Sequence, residues 1–355
     1  MPDLSTLLPR AEWHFGNPSR RERSVDNRYL VTGAGGSIGW HLADRLAAEN
    51  PDQLVLVDSH EPSLFRLREH LRRFPGSARF RYCLVDVRNT TKLETIVRDE
   101  RPQVVFSLAA YKHVPLAEEN ADQVLSVNVE AAIRLAELSE RFGVERFVYP
   151  STDKAVRPPS IYGATKRVAE LSLLSLGIQS SSRRFAVARL VNVLGSQGGV
   201  IETFKRQILA GGPVTLTDPG MTRYWMTVQE AVGLLRHAGH INPTGTAFMV
   251  DVGKAVQVIE TAQLLQRAMR PELSFRFEVL GARPGERLHE ELLYSYERAT
   301  RLEIDGLLRI DSDGVPGDSR AFLSAVENLI RRAPAMTSAS IKAALFDLAS
   351  QGPAT

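Results

Sequence analysis

Residues 29–46 read YLVTGAGGSIGWHLADRL, an apolar run, a glycine-rich turn and an amphipathic stretch, with glycines at positions 33, 36 and 39. This order of elements constrains the chain more than any other feature. A strand that passes into a helix through so tight a turn needs Gly33 at the turn itself. Gly36 lets a pyrophosphate approach the backbone, and Gly39 lets the helix pack closely on the strand. The helix N-terminus then offers free N–H groups and a partial positive charge to phosphates. A glycine-rich turn alone is a weak signal and can be purely structural. Here a strand precedes it and a helix follows it.

The same alternation continues. RYLVTG, QLVLVD, FRYCLVDV, QVVFSLAA, RFVYPS and FAVARLVNV are short, apolar and rich in β-branched residues, as strands buried on both faces are. Helical patterns lie between them, among them SIGWHLADRLAAEN and ADQVLSVNVEAAIRLAELSERFG, the latter stopping at Gly143. Alternation of this kind predicts an α/β fold with a doubly wound parallel sheet. Beyond residue 195 the pattern loosens and Gly and Pro recur in GSQGG, AGGP, TDPG, NPTG and ARPGE. The expected organisation is an N-terminal arm (1–26), a dinucleotide-binding domain (27–195), a smaller, mainly substrate-binding domain (196–310) that can interleave with the sheet, and a C-terminal helical segment (311–355). The smaller domain should pack at the carboxyl edge of the sheet, where open α/β sheets bind ligands. AFLSAVENLIRRA and SIKAALFDLAS are expected as two peripheral helices.

A net charge of +3 is too small to argue for a nucleic-acid or membrane partner. A single cysteine, Cys83, excludes an internal disulfide and a cysteine-based zinc cluster, and its place in a strand reads as a buried, inert thiol. The histidines show no metal-ligand spacing, so no metal is expected. No secretory signal is read at the N-terminus and no stretch approaches the ~20 apolar residues of a membrane span, which makes a soluble cytoplasmic protein the expectation. Seven of the 44 basic residues are lysines, and three of these, Lys112, Lys154 and Lys166, fall in the motifs below.

Asp58 ends the second predicted strand, 19 residues after Gly39. A carboxylate there can bind both ribose hydroxyls of an adenosine and repel a 2′-phosphate, which favours NAD while leaving NADP possible; the lesser reading is a helix or turn cap. Asp86, after the third strand, reads as an adenine contact or as a solvated loop carboxylate.

STDKAVRPPSIYGATK, residues 151–166, gathers further chemistry. Ser151, Thr152, Asp153 and Lys154 lie just beyond a strand's carboxyl end. Tyr162 and Lys166 are spaced i, i+4 and share a helix face. A nearby ammonium is expected to lower the phenol's pKa, so that the tyrosinate can take a proton from a substrate hydroxyl. Taken alone, Tyr-x-x-x-Lys is more often a solvated helix face.

With VTGAGGSIG, AAYKHVPLAEEN, SVNVEAA, STDKAVRPPSIYGATKR, RLVNVLGSQGGVIETF, TDPGMTRYWMT and GARPGERLHEELL in order across residues 28–295, the chain resembles the extended short-chain dehydrogenase/reductase family, and most closely its UDP-N-acetylglucosamine 4,6-dehydratase branch. The resemblance implies a Rossmann fold, an NAD cofactor and a UDP-sugar substrate. It implies cofactor contacts from Gly33, Gly36, Ser37, Ile38, Gly39, Asp58, Asp86, Val87, Ala109, Ala110, Tyr162 and Lys166. Tyr162, helped by Lys166, would deprotonate the sugar's 4-hydroxyl, with Thr152 bonded to the C4 oxygen. A neutral Lys154 would take the C5 proton, and a protonated Asp153 would donate to the departing 6-hydroxyl. Arginine could not serve as that base. Asn192, Arg223 and Arg283 would meet the nucleotide, and Lys112 and His113 the sugar, although His113 can also be a structural histidine. Asn128 would support the active-site strand. Relatives associate as dimers or larger assemblies, which implies a homo-oligomer. Many relatives carry a membrane-spanning region before this unit, so the chain resembles a stand-alone catalytic unit. Glu202 and Ala121 stand where Pro is usual, and Ser126 where Thr is usual. The rival readings are a nucleotide-sugar 4-epimerase, which needs only the Tyr-Lys pair, and a non-catalytic dinucleotide-binding scaffold.

Overall fold

In the computed structural model, which describes residues 3–16, 28–179, 184–240, 246–312 and 317–352, all six predicted strands form. They are β1 (Arg28–Thr32), β2 (Gln53–Asp58), β3 (Phe80–Leu84), β4 (Val104–Ser107), β5 (Arg146–Thr152) and β6 (Arg184–Leu190). All pair in parallel, in the order β3-β2-β1-β4-β5-β6. Their continuous apolar runs suit a sheet covered on both faces: Leu30, Val31, Leu56, Val57, Val105 and Val148 are all completely buried. The order reverses between β1 and β4, and that reversal opens a crevice at the carboxyl ends of the strands.

The helices are α1 (Ser37–Ala48), α2 (Glu61–Leu71), α3 (Thr90–Glu100), α4 (Val114–Glu119), α5 (Ala121–Leu125), α6 (Ala131–Arg141), α7 (Ile161–Gln179), α8 (Val200–Leu209), α9 (Val228–Ala238), α10 (Val258–Met269), α11 (Ser319–Arg332) and α12 (Ser338–Ser350). Helices α1, α2 and α9 cover one face of the sheet. Helices α3 to α7, with α11 and α12, cover the other. The two C-terminal helices form and pack against α7, with Phe322, Val326, Ile341 and Leu345 buried in the same core. The single helix expected over 121–143 is interrupted by a π-helical turn, Ser126–Glu130, and stops before Gly143, whose φ is +77°. Bulges of this kind often mark functional sites.

The chain after residue 195 is woven into the sheet. Thr246–Val250 adds in parallel beside β6, Leu307–Ser312 pairs antiparallel with it, and Glu297–Arg301 forms the edge. Ala247, Phe248, Met249 and Val250 are buried, which is why this run enters the sheet. A separate small core gathers α8, α10 and the short strand Val214–Leu216, with which the exposed strand Phe277–Val279 pairs in parallel. The arm docks on this half of the chain: Leu7 enters the small core, Arg10 pairs with Glu230 at 2.6 Å, and the Trp13 indole N–H donates to the Asp251 carbonyl at 2.8 Å. No helix among the described residues is long and apolar enough to cross a membrane.

Candidate active site

A cavity of about 700 Å³ opens at the carboxyl ends of β1, β4, β5 and β6. On one side stands the glycine turn. Gly33 has φ +64°, and a Cβ there would come within 2.8 Å of the Ala109 backbone nitrogen. A Cβ on Gly39 would lie 2.1 Å from the Gly33 carbonyl oxygen, so only glycine lets α1 start this close to β1. Gly36, Ser37, Ile38 and Gly39 line the cavity at the first turn of α1, where backbone N–H groups lack partners within the helix. The cradle fits a phosphate-bearing dinucleotide. Gln197 crosses from the opposite rim: its N–H donates to the Ser37 hydroxyl at 2.9 Å, and its carbonyl accepts from Lys112 Nζ at 2.7 Å.

The other side is built by β5, the turn after it and α7. The Ser160 hydroxyl caps α7 by accepting from the Gly163 N–H at 3.1 Å. Tyr162 and Lys166 both line the cavity from one face of α7. Thr152 ends β5, and a 3-10 turn, Asp153–Ala155, follows. The Thr152 hydroxyl donates to Asp153 Oδ1 at 2.9 Å, and Lys154 Nζ donates to the same oxygen at 3.0 Å. Lys154 also donates to Asn192 Oδ1 at 3.3 Å and lies 3.4 Å from Glu290 Oε1. Thr152 and Lys154 line the cavity, whereas Asp153 is wholly buried behind them, with Oδ2 unbonded.

The charges differ from the sequence expectation in one respect. Burial pushes the Tyr162 phenol up, and the Lys154 ammonium and a hydrogen bond with Thr152 pull it only partly back. Lys154 is thus the cation that opposes the rise of the phenol. Lys166 donates to the Pro150 carbonyl at 2.8 Å and lies 4.3 Å from the centre of the Tyr149 ring, and burial lowers its pKa to about 7. Burial also works against the Lys154 ammonium, but Asp153 and Glu290 outweigh it, so Lys154 is raised and rests protonated.

Other expected residues fall into two groups. Ala110, Lys112, His113 and Asn192 line the cavity, and Asn192 is fixed by donating to the Tyr224 carbonyl at 3.1 Å. Asn128 exchanges two 2.9 Å hydrogen bonds with the Tyr111 backbone and donates to Thr165, tying the loop after β4 to α7. Asp58, Asp86, Val87, Ala109, Arg223 and Arg283 are not among the lining residues. Asp58 accepts from the Gly35 and His60 backbone N–H groups, each at 2.8 Å, so in this structure it caps the glycine turn. Asp86 is held by Arg88. Arg223 is buried beside Glu290, and Arg283 is exposed in a turn between Gly281 and Gly285. Cys83 is half-buried, and burial raises its thiol.

Sequence reasoning missed Glu290, Gly163 and Gln197. Glu290 lay inside the GERLHEELL landmark, but its meeting with Lys154 depends on a long-range fold-back. Gly163 sat between the two motif residues unread, although a glycine in a helix interior signals a close approach.

A profile for the family described as polysaccharide biosynthesis protein matches residues 29–312. The capsular polysaccharide biosynthesis protein CapD of Staphylococcus aureus is 38% identical over 307 residues, 83% of this chain and 51% of its own length, so the chain spans about half of that relative. A UDP-N-acetylglucosamine 4,6-dehydratase (inverting) of Campylobacter jejuni is 29% identical, covering 79% of this chain and 81% of its own. A UDP-glucose 4-epimerase of Rickettsia prowazekii is also 29% identical, over 82% and 84%. Among solved structures, Pen from Bacillus thuringiensis matches with a TM-score of 0.75 and 27% identity, over 81% of this chain and 89% of its own.

Proposed function

The chain belongs to the polysaccharide biosynthesis protein family, and from that premise we propose that it is a nucleotide-sugar 4,6-dehydratase that converts a UDP-N-acetylhexosamine, UDP-N-acetylglucosamine first, to a 4-keto-6-deoxy sugar. The observation that carries this reading is the Asp153–Lys154 pair, packed against Thr152 and Tyr162 at the carboxyl end of β5. A 4-epimerase needs a base for the 4-hydroxyl and has no use for a second acid and base.

The glycine turn and Ser37, Ile38, Tyr162 and Lys166 would hold a nicotinamide dinucleotide. When bound, that group would accept hydride from C4 and return it to C6. Tyr162 takes the 4-hydroxyl proton, and the Thr152 hydroxyl bonds the C4 oxygen. The 4-ketone so formed makes the C5 proton acidic. Lys154 and Asp153, joined at 3.0 Å, then divide the work of elimination. One proton passing from the ammonium to the carboxylate leaves a neutral amine and a carboxylic acid together. The amine takes the C5 proton, and the acid, held behind Thr152 and Lys154 in this structure, would turn toward the cavity to donate to the departing 6-hydroxyl. The pair needs no outside proton to reach this state, and burial lowers the cost of neutralising both groups.

The test is incubation with UDP-N-acetylglucosamine in deuterated water. Dehydration gives a product that has lost water and carries deuterium at C5. An unchanged mass with an inverted C4 selects the 4-epimerase, and no turnover with bound dinucleotide selects the scaffold.

A further inference from the structure

Glu290 lies far from Lys154 in sequence yet forms part of its surroundings. Its side chain is 3% exposed. Oε1 lies 3.4 Å from Lys154 Nζ and 3.9 Å from Arg223 Nε, and Oε2 has no hydrogen-bond partner among the described residues. The segment that carries it is fastened to the catalytic turn on both flanks. Arg287 donates to the Val156 carbonyl at 3.1 Å and to the Arg157 carbonyl. The Tyr294 hydroxyl donates to the Ala155 carbonyl at 3.1 Å, and Arg189 holds the Leu292 carbonyl at 2.9 Å. A carboxylate buried at such cost, with one oxygen unbonded, is poorly explained by stability alone, because burying a charge that is only partly compensated is unfavourable.

We propose that Glu290 is a positioning residue of the catalytic centre: it holds the Lys154 ammonium at the cavity wall between two carboxylates and sets the pH above which that amine becomes a free base. The proposal rests on the reading of Lys154 as the C5 base. Four groups face the Lys154 nitrogen electrostatically: Asp153 on its own turn, Glu290 from the fastened segment, Arg223 from the short strand Thr222–Arg223, and Tyr162 from α7. Two are anionic, Arg223 opposes them, and Tyr162 is neutral while its phenol stays protonated. Removing the Glu290 charge leaves Asp153 alone against burial and Arg223, so the ammonium gives up its proton at lower pH. An opposite charge at this range shifts a pKa by roughly 1–3 units.

Glu290→Gln tests this in two ways. The full chain is reductively methylated with ¹³C-formaldehyde and the dimethyl-lysine signals are followed by NMR against pH. With seven lysines in the chain, the Lys154 signal is identified by its loss in Lys154→Arg. Its midpoint should fall by about one pH unit or more in Glu290→Gln. In parallel, the falling limb of the pH profile for dehydration of UDP-N-acetylglucosamine, where the pair loses its shared proton, should move to lower pH in the same direction. An unmoved Lys154 midpoint overturns the proposal. A moved midpoint in a protein that neither exchanges C5 nor loses water keeps the pairing and discards the dehydratase reading. If Glu290→Gln does not fold, Glu290→Asp, which keeps the charge but draws it back by one methylene, should give a smaller shift in the same direction, and its absence overturns the proposal equally.

Discussion

The carbonyl oxygen of Lys154 sits 2.1 Å from the place where a Cβ on Gly163 would stand. Helix α7 and the catalytic turn therefore touch backbone to backbone, which brings Tyr162 beside Thr152 and Lys154. Gly163→Ala should destabilise the protein by about 1–3 kcal/mol, because one methyl must force the two elements apart. In an unobstructed helix interior the same change stabilises by ~1 kcal/mol. The sign of the change in a urea melt thus reports whether this contact exists. Turnover should fall more than the loss of stability accounts for, since Tyr162 and Lys154 move relative to one another.

Asp153→Asn and Lys154→Ala should each lower dehydration by roughly 10²–10⁴-fold, the range a positioned acid or base contributes. Neither residue belongs to the dinucleotide cradle, so titration with NAD followed by calorimetry should give unchanged affinity. Lys154→Ala also removes the cation that opposes the rise in the Tyr162 phenol. It should therefore shift the pH profile for C4 oxidation upward, a readout separate from elimination.

The parallel sheet was legible because each strand is an unbroken apolar run and the glycine turn can be built in very few ways. Thr152, Lys154, Tyr162 and Lys166 were legible because they lie within one stretch, where helix spacing alone decides which side chains share a face. What escaped depended on distance in sequence. The contacts of the Lys166 ammonium with the Pro150 carbonyl and the Tyr149 ring were not legible, because both partners come from β5. For Asp58 the sequence left a ribose contact and a turn cap both open, and the fold shows the two backbone donors, Gly35 and His60, that engage it. That the later residues can interleave with the sheet was foreseen, but not where residues 246–312 pair, because Gly and Pro mark turns without saying where the strands between them pair.

A buried ionic network behind the catalytic strand should matter for stability. Arg189 donates to Glu297 at 2.7 and 2.9 Å and to Glu170 at 2.6 Å, and Arg167 donates to Glu170 at 2.7 Å. The Ser151 hydroxyl joins β5 to it through Glu170. Arg189→Met leaves buried carboxylates undercompensated and should cost about 3–5 kcal/mol at pH 7 in chemical denaturation. Burial pushes the Glu170 carboxyl up, but Arg189 and Arg167 outweigh it and hold it below its ordinary 4.5. Its contribution is therefore present above pH 4.5 and is lost as pH falls through the lower folded value. The gap between wild type and variant should narrow in acid.

Lys166 should leave the opposite signature. Its folded pKa is about 7, against an ordinary 10.5, and burial is the cause. Below pH 7 both folded and unfolded chains carry the proton, and the folded chain bears the full penalty of a buried ammonium. Between about 7 and 10.5 only the unfolded chain binds the proton, so this group makes the fold more stable as pH rises. Above 10.5 neither state is charged and the penalty is gone. Lys166→Met removes the titrating group along with its hydrogen bond to Pro150, so the absolute change mixes two effects, whereas the pH dependence of the difference isolates one. Stability of the variant minus that of wild type, taken from urea melts without added dinucleotide, should be most favourable to the variant near pH 6. It should fall by several kcal/mol, on the order of 1.4 per pH unit, as pH climbs through the window from 7 to 10. A difference that stays flat across that window would mean that Lys166 keeps its proton in the folded chain and that the Tyr149 ring and Pro150 carbonyl stabilise the charge more than burial opposes it. The variant should also lose turnover, which would make Lys166 a residue whose charge the fold bears at a cost because the site uses it.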